Sequence, residues 1–454
     1  MRKNLRYYLS RLSKKKMKEA LAANRGFKIK KFRWWIIGLV TLSIAINYLD
    51  RQNLPVVISE IKKTIPISDV EYGMITSLFL LAYGTMYAIG GRILDILGSK
   101  KGYTLTIIWW SLANILHGLV NSVMGLGISR FLLGAGEGGA FPGAAKVISE
   151  WFPAKERSLA FGIFNTGSSL GAVVAPPLIA FIVATLNWRW TFVITGLIGI
   201  FWVIFWLIFY SKPADNKFIS QEERNYIVSS KEKENGSSLQ NSDELKLTWL
   251  SLFRYRKVWG IIAVKFFPDA AWYFFIFWLP KYLNDVRGLD IRGIGAYAWI
   301  PYVFAGCGSF LGGWLSSFLL KKGFSLDLSR KIPLGIAAAM LPVSLLITSA
   351  SLNMAIVFFG LAMFGHQLYS TIVQTMVADM FPSKIVGSVS GLMGCGATYG
   401  AMLFSLAIGF IIDKFGYSPA FIISGLLHPL GFILIFIIIR KIEFVKIIPK
   451  RTKL

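Results

Sequence analysis

A charged side chain in the middle of an apolar run costs roughly 2.5–3.5 kcal/mol to insert at a bilayer centre, so each one marks a candidate functional site. Asp50 and Arg51 close the first such run. Neighbours on a helix point about 100° apart, so these two cannot face each other without a frayed end or a partner helix. Arg130 and Glu137 lie seven apart, which sets them on one helical face about 10.5 Å apart along the axis, with Gly134 leaving room between them. Glu137 stands among Gly136, Gly138, Gly139 and Ala140, none of which can neutralise it. Burial disfavours its charged form, so it is expected to carry a proton.

Weaker signals surround these. Lys265 and Asp269, four apart, can pair with each other, or Lys265 can serve as a second cation for an anion. His366, Ser370 and Gln374 form a stripe at the same spacing, with Gln367 beside it, fit for hydroxyl groups or for helix–helix contacts. Asn165 with Ser168 makes a fainter case of the same kind. Tyr48, Tyr83 and Tyr87 offer hydroxyls and aromatic faces suited to stacking a sugar ring, or to plain packing. Fork-shaped guanidinium groups favour a carboxylate, and the amides and hydroxyls suit a polyhydroxyl body. A small organic acid follows, with protons as co-substrate.

The elements that position these groups are membrane spans. The chain has 454 residues, 55% hydrophobic and only 16% charged, with a mean hydropathy of +0.57. Soluble domains carry about 25% charge. Apolar runs fall near 34–53, 72–94, 103–121, 124–149, 159–184 and 191–210, then near 258–284, 294–320, 333–350, 352–380, 386–412 and 418–440. Each can cross a ~30 Å hydrocarbon layer as a helix. The expected fold is all-α, twelve transmembrane helices in two six-helix bundles. Its parts are a basic tail (1–32), a first bundle (33–210), a polar cytoplasmic loop (211–256), a second bundle (257–441) and a short basic tail (442–454).

The net charge of +26 is concentrated at the ends and in short loops. Between Arg2 and Arg33 a run of Lys and Arg meets a single acid, Glu19. That placement marks cytoplasmic faces and contact with anionic lipid rather than nucleic acid. Both termini are expected in the cytoplasm, and Leu5, Tyr8, Leu9 and Leu12 fall at helical spacing, fit to lie along the membrane surface. Cys307 and Cys395 both sit in apolar runs, too few for a disulfide framework or zinc site. The first run ends in Tyr48-Leu-Asp-Arg-Gln52 without a cleavage site, which reads as a retained anchor helix. His117, His366 and His428 are scattered and no phosphate loop occurs, so neither a membrane enzyme nor an ATP-driven pump is expected, and no cofactor or metal.

A repeat links the halves. Gly91-Arg-Ile-Leu-Asp95-Ile-Leu-Gly98-Ser-Lys100-Lys101 follows the second run, and Gly313-Trp-Leu-Ser-Ser317-Phe-Leu-Leu-Lys321-Lys322 stands at the matching place later. Two related halves with a site between them is a secondary-transporter plan. The first copy resembles the loop signature of the major facilitator superfamily, in which Gly91, Asp95 and Lys100 would act as a conformational latch. Ser317 replaces the acid in the second copy.

Further stretches resemble the anion:cation symporter family of that superfamily: Asn47-Tyr-Leu-Asp-Arg-Gln52, Gly134-Ala-Gly-Glu-Gly-Gly-Ala-Phe-Pro142, Phe164-Asn-Thr-Gly-Ser-Ser-Leu-Gly171 and Asn187-Trp-Arg-Trp190. The likeness runs from about 33 to 441 and is strongest to the bacterial carriers of hexuronates such as glucuronate and galacturonate, notably across Trp151–Pro177, Ala298–Gly313 and Phe364–Gln367. It implies proton-coupled uptake of a sugar acid or related aldonate by a monomer in the bacterial inner membrane. Arg51 would bind the carboxylate, with Asp50 and Glu137 as the proton-coupling acids. Exchange of organic anions or efflux is the alternative, since Gly167, Gly171 and Pro176-Pro177 faintly resemble an antiporter motif. A sensor without transport is the more distant one.

Overall fold

The structure is a computed structural model that describes residues 28–239, 249–381 and 383–445. The surface helix expected around Leu5–Leu12 lies outside the described residues, as does the side chain of Asp95. The described residues are almost entirely helical.

The first half comprises α1 (Phe32–Lys62), α2 (Asp69–Leu97), α3 (Ser99–His117), α4 (Val123–Glu137), α5 (Ala140–Trp151), α6 (Ala154–Thr185) and α7 (Trp188–Phe209). The second comprises α10 (Arg256–Asp285), α11 (Ile291–Tyr297), α12 (Ile300–Lys321), α13 (Leu326–Met340), α14 (Leu352–Met380), α15 (Ser383–Phe415) and α16 (Tyr417–Leu434). Between them lie α8 (Gln221–Leu239) and the single turn α9 (Trp249–Leu252). Among the described residues, ten helices are long and apolar enough to cross a membrane. Two further crossings complete twelve. One is α3, which opens on Lys100 and Lys101; the other is α4 with α5, broken at Gly138-Gly139 so that each piece alone is short.

The same pairings recur in each half. In the first, α1 packs on α6, α2 on α4, and α3 on α7; in the second, α10 packs on α15, α12 on α14, and α13 near α16. Small residues permit the closest crossings. Side chains at Gly167 and Gly171 would drive into the carbonyls of Thr41 and Ala45, and one at Gly308 into that of Phe364.

The lobes meet where α2 lies along α15, α6 along α11 and α12, and α1 along α10. A Cβ at Gly73 would lie 2.7 Å from the Ser405 carbonyl oxygen, and one at Gly409 2.6 Å from that of Asp69. Hydrogen bonds between described residues of the two lobes run from the end of the molecule opposite Phe32 and Val445, here the far face, to the middle of α2. The Lys281 ammonium is 2.7 Å from Asp69, and the Tyr72 hydroxyl donates to the Phe277 carbonyl at 2.5 Å. Thr76 meets Ser405 at 2.6 Å, Gln52 donates to the Tyr302 hydroxyl at 2.6 Å, and Thr85 meets Tyr399 at 3.0 Å. The lobes are thus tied together on the far half.

The polar loop is not detached throughout. Glu223, only 6% exposed, accepts from the backbone N–H groups of Phe32 at 2.7 Å and Arg33 at 3.2 Å, and from the Arg33 guanidinium at 2.7 Å. The first turn of α1 has no capping side chain of its own, so the loop supplies the acceptor that those exposed N–H groups require.

Candidate functional site

Arg51 lies two-thirds of the way along α1 and is 1% exposed. Its Nε and Nη2 donate to one oxygen of Glu137, at 3.0 and 2.8 Å. Nη2 also reaches the Asn47 amide oxygen one turn earlier, at 3.3 Å. Aromatic rings enclose the guanidinium: Tyr83 at 4.6 Å, Tyr48 at 4.7 Å and Phe79 at 5.3 Å from ring centroid to Cζ. Burial of a charged pair is costly unless the partners are close and bonded, and both conditions hold here.

Arg130 converges on the same point. Its Nη2 donates to the backbone carbonyl of Arg51 at 2.8 Å, and its guanidinium lies 4.8 Å from the Phe79 ring. Its Nε and Nη1 have no partner among the described residues, and neither does the second oxygen of Glu137. Seven-residue spacing on α4 thus delivers both groups to one residue of α1. A side chain at Gly134 would collide with the Phe79 carbonyl, so this glycine lets α4 approach α2 closely enough for the contact. The second lobe reaches this cluster: Phe277 of α10 lies 5.8 Å from Arg130 and 6.0 Å from Phe79, edge to face.

Asp50 points elsewhere, as helical geometry requires. It is fully buried and accepts from the Asn114 amide at 2.7 Å. Asn114 also donates to Thr195 at 2.7 Å and to the Phe192 carbonyl at 3.1 Å, and Asn53 donates to the same Thr195 hydroxyl at 2.7 Å. Asp50 and Arg51 therefore serve two separate networks, one inside the first bundle and one where the lobes meet. Asn114, Thr195 and Phe277 are not among the candidates that the sequence marks, and Asn47 enters there only as the first residue of the stretch Asn47–Gln52. An amide in the middle of the apolar run 103–121, whose other amide, Asn121, stands at its end, is the signal available for Asn114.

Along α2, Phe79, Tyr83 and Tyr87 form a ladder, with centroids 5.7 and 6.0 Å apart. Half-buried Tyr87 reaches across to Gly394 of α15, whose Cβ would lie 3.0 Å from the ring. Tyr48 is likewise half-buried.

In the second lobe Lys265 pairs with Asp269 at 2.9 Å and donates to Ser370 at 2.8 Å; Gln374 donates to the same hydroxyl at 3.3 Å. The four-residue pairing of Lys265 is thus realised, with Ser370 added. His366 is buried and meets His428 at 3.0 Å, while Trp272 stacks on it at 4.6 Å. Two histidines that look scattered in sequence therefore form a pair. Gln367 is half-buried and Asn165 exposed, neither within hydrogen-bond reach of the Arg51 cluster in the contacts described. Of the residues expected to act as a latch, Gly91 is half-buried beside Pro142 and Lys100 donates to the Leu207 carbonyl at 2.9 Å, a tie within its own lobe.

Two repeated helical lobes around a buried guanidinium–carboxylate pair, reached from the opposite lobe, define a membrane transport protein rather than an enzyme. The Major Facilitator Superfamily model matches residues 40–328 and 322–453, and the chain belongs to that family. It is 34% identical over 415 residues to the hexuronate transporter of Escherichia coli K12, covering 91% of this chain and 95% of that one. It is 36% identical over 317 residues to the galacturonate transporter of Dickeya chrysanthemi, covering 69% and 90%. Among solved structures it is similar to an inward-facing, occupied bacterial homolog of the human lysosomal transporter Spinster. There the TM-score is 0.70 at 20% identity, covering 91% of this chain and 98% of that one. The inward open xylose transporter XylE from E. coli matches with a TM-score of 0.70 at 13% identity, covering 90% and 97%.

Proposed function

We propose that this protein takes up a hexuronate or related sugar acid into the cell together with protons, by alternating access across the inner membrane. The carrying observation is the Arg51–Glu137 pair, buried where the two lobes meet. A carboxylate substrate and Glu137 compete for the same guanidinium. When Glu137 takes a proton its counter-charge vanishes, and the fork of Arg51 is free for the substrate. Arg130 fixes the backbone of Arg51 and adds positive charge. The tyrosines of α1 and α2 present ring faces to the sugar, while Lys265, Gln374 and His366 belong to the opposing pole. Asn165 and Gln367 would join when the lobes rearrange, and Asp50 would act as the second proton-sensitive acid.

Moving one anion into a negative-inside cell costs about 2.3 kcal/mol per 100 mV. One proton cancels that charge, and two make the step favourable; Glu137 and Asp50 provide for two. The face that carries Phe32 and Val445 is assigned to the cytoplasm from its basic loops. With the far half tied shut and Arg51, Arg130 and Glu137 buried, the site is closed to the far face in this conformation.

The test is uptake of labelled galacturonate or glucuronate into proteoliposomes, with and without an inward proton gradient. Accumulation that requires the gradient supports the reading. Gradient-independent exchange replaces it with an antiporter, and binding without flux with a sensor.

A further inference from the structure

On the face opposite the far face, away from the transport pathway, the last turn of the final crossing meets the start of α10 around a cavity of about 340 Å³. Four cations line it, Arg256 and Lys257 from α10 and Arg440 and Lys441 from the segment after α16, against one acid, Glu443. Its apolar wall is Ile438, Ile439 and Val445. From these features we infer that this cavity is a binding site for the phosphate headgroup of an anionic phospholipid.

The rim is built rather than draped. Arg440 N–H donates to the Ile435 carbonyl at 2.7 Å and Val445 N–H to that of Met380 at 2.7 Å. Ile442 N–H donates to Asp327 at 2.7 Å, and Lys331 holds the Arg440 carbonyl at 2.7 Å. Within this rim Arg440 adopts φ 64° and ψ −70° at the centre of a γ-turn closed by Lys441 N–H on the Ile439 carbonyl at 2.9 Å, a conformation rare for a residue with a side chain. Such outliers persist where the surroundings impose them and concentrate at binding sites. Arg256 bonds the Ile437 carbonyl, which joins the cation-bearing start of α10 to the other wall.

Charge and position choose the occupant. The start of the 30-residue α10 has no side-chain cap, so the positive end of its dipole adds to the four cations. The one acid is already held by Lys257 at 3.5 Å and Lys441 at 3.4 Å, so the cluster keeps an excess of positive charge. The sequence that follows adds Lys446, Lys450, Arg451 and Lys453 and no Asp or Glu. Beside the cavity, Trp259, Phe436, Ile437 and Phe444 are each 50–59% exposed, the apolar band that acyl chains cover. A basic cavity bordering such a band fits a lipid phosphate with its tails, whereas a soluble phosphate would leave that band unused.

Native mass spectrometry of the full-length protein, offered equal phosphatidylglycerol and phosphatidylcholine, tests the assignment. Preferential retention of phosphatidylglycerol is expected. It should fall on the order of tenfold in Arg256→Gln/Lys257→Gln/Arg440→Gln and survive in Lys321→Gln/Lys322→Gln. Should the triple variant fail to fold, Arg440→Gly keeps the backbone conformation without strain, removes one cation and should weaken retention. Equal retention of both lipids, or unchanged preference in the variants, overturns the site. Glycerol 3-phosphate protecting against thermal unfolding as well as the lipid does would transfer the site to a soluble anion and overturn the lipid assignment.

Discussion

Arg51 of α1 and Glu137 of α4 meet at 2.8 Å with side chains 1% and 0% exposed, while Asp50, one residue away, is bonded to Asn114 of α3. Two adjacent charges are thus divided between two helices. The division follows from the angle between successive helical side chains, and it gives the two acids different hydrogen-bond partners. One is bonded to the Arg51 guanidinium; the other is bonded to the neutral Asn114 amide within the first bundle.

Glu137→Gln should abolish gradient-driven accumulation while leaving exchange or binding partly intact, because glutamine accepts from Arg51 but carries no proton to the other side. Its stability cost is expected at roughly 1–3 kcal/mol, the effect of weakening a buried charged hydrogen bond. Uptake with and without a pH gradient, beside a thermal melt, checks both. Full accumulation in this variant removes Glu137 from proton coupling.

Arg51→Lys keeps the charge and loses the fork. Its ammonium cannot make the Nε and Nη2 contacts to Glu137 together with that to Asn47. Substrate affinity should drop on the order of tenfold or more, since bidentate charge-assisted bonds are the strong ones. Binding of galacturonate by isothermal calorimetry measures it, and unchanged affinity places Arg51 outside the substrate site. Arg51→Leu strands Glu137 as a buried charge and should cost about 3–5 kcal/mol of stability.

The sequence made the charged members of the site visible because charge in lipid is expensive and therefore stands out. It did not make their partners visible. Asn114, Thr195 and Asn47 are cheap to bury once bonded, so they blend into the apolar runs. Which helices abut is set by packing between distant segments, and so the spacing of Arg130 and Glu137 gave their common face but not that Arg51 lies opposite it. The same limit hid the contact of His366 with His428. The twelve crossings were legible because each depends only on local hydropathy, and the repeat because the stretch Gly91–Lys101 has a counterpart at Gly313–Lys322. The polar stretch after α7 read as a solvated linker by composition, and nothing local revealed that Glu223 docks on α1.

Lys281 is 2% exposed and bridges the lobes to Asp69, which also receives Lys62 at 3.1 Å. Asp285 and Tyr417 complete the cluster, bonded to each other at 2.8 Å and to Lys281. Breaking this tie should favour the state open at the far face. Asp69→Asn is expected to shift the population on the order of tenfold, within the usual 1–3 kcal/mol of such couplings. Distances between spin labels placed on the two lobes at the far face, read by pulsed electron resonance, report the shift. An unchanged distribution means that the helix crossings at Gly73 and Gly409 hold this end closed without the ions.

Glu223 gives the last test, since it ties the loop between the bundles to the first crossing. Its carboxylate receives two backbone N–H groups of α1 and the Arg33 guanidinium, and Arg33 in turn bonds Glu156 at 2.9 Å. Glu223→Ala removes the acceptor for an otherwise uncapped helix start and leaves one buried cation short of a partner. A loss of roughly 1–3 kcal/mol is expected, seen as a lower melting temperature together with faster proteolysis within 221–239. Exposed Glu222 is the control, and Glu222→Ala should change neither. If Glu223→Ala behaves like Glu222→Ala, the loop does not stabilise α1, and the junction between the bundles is free to move independently of the first crossing.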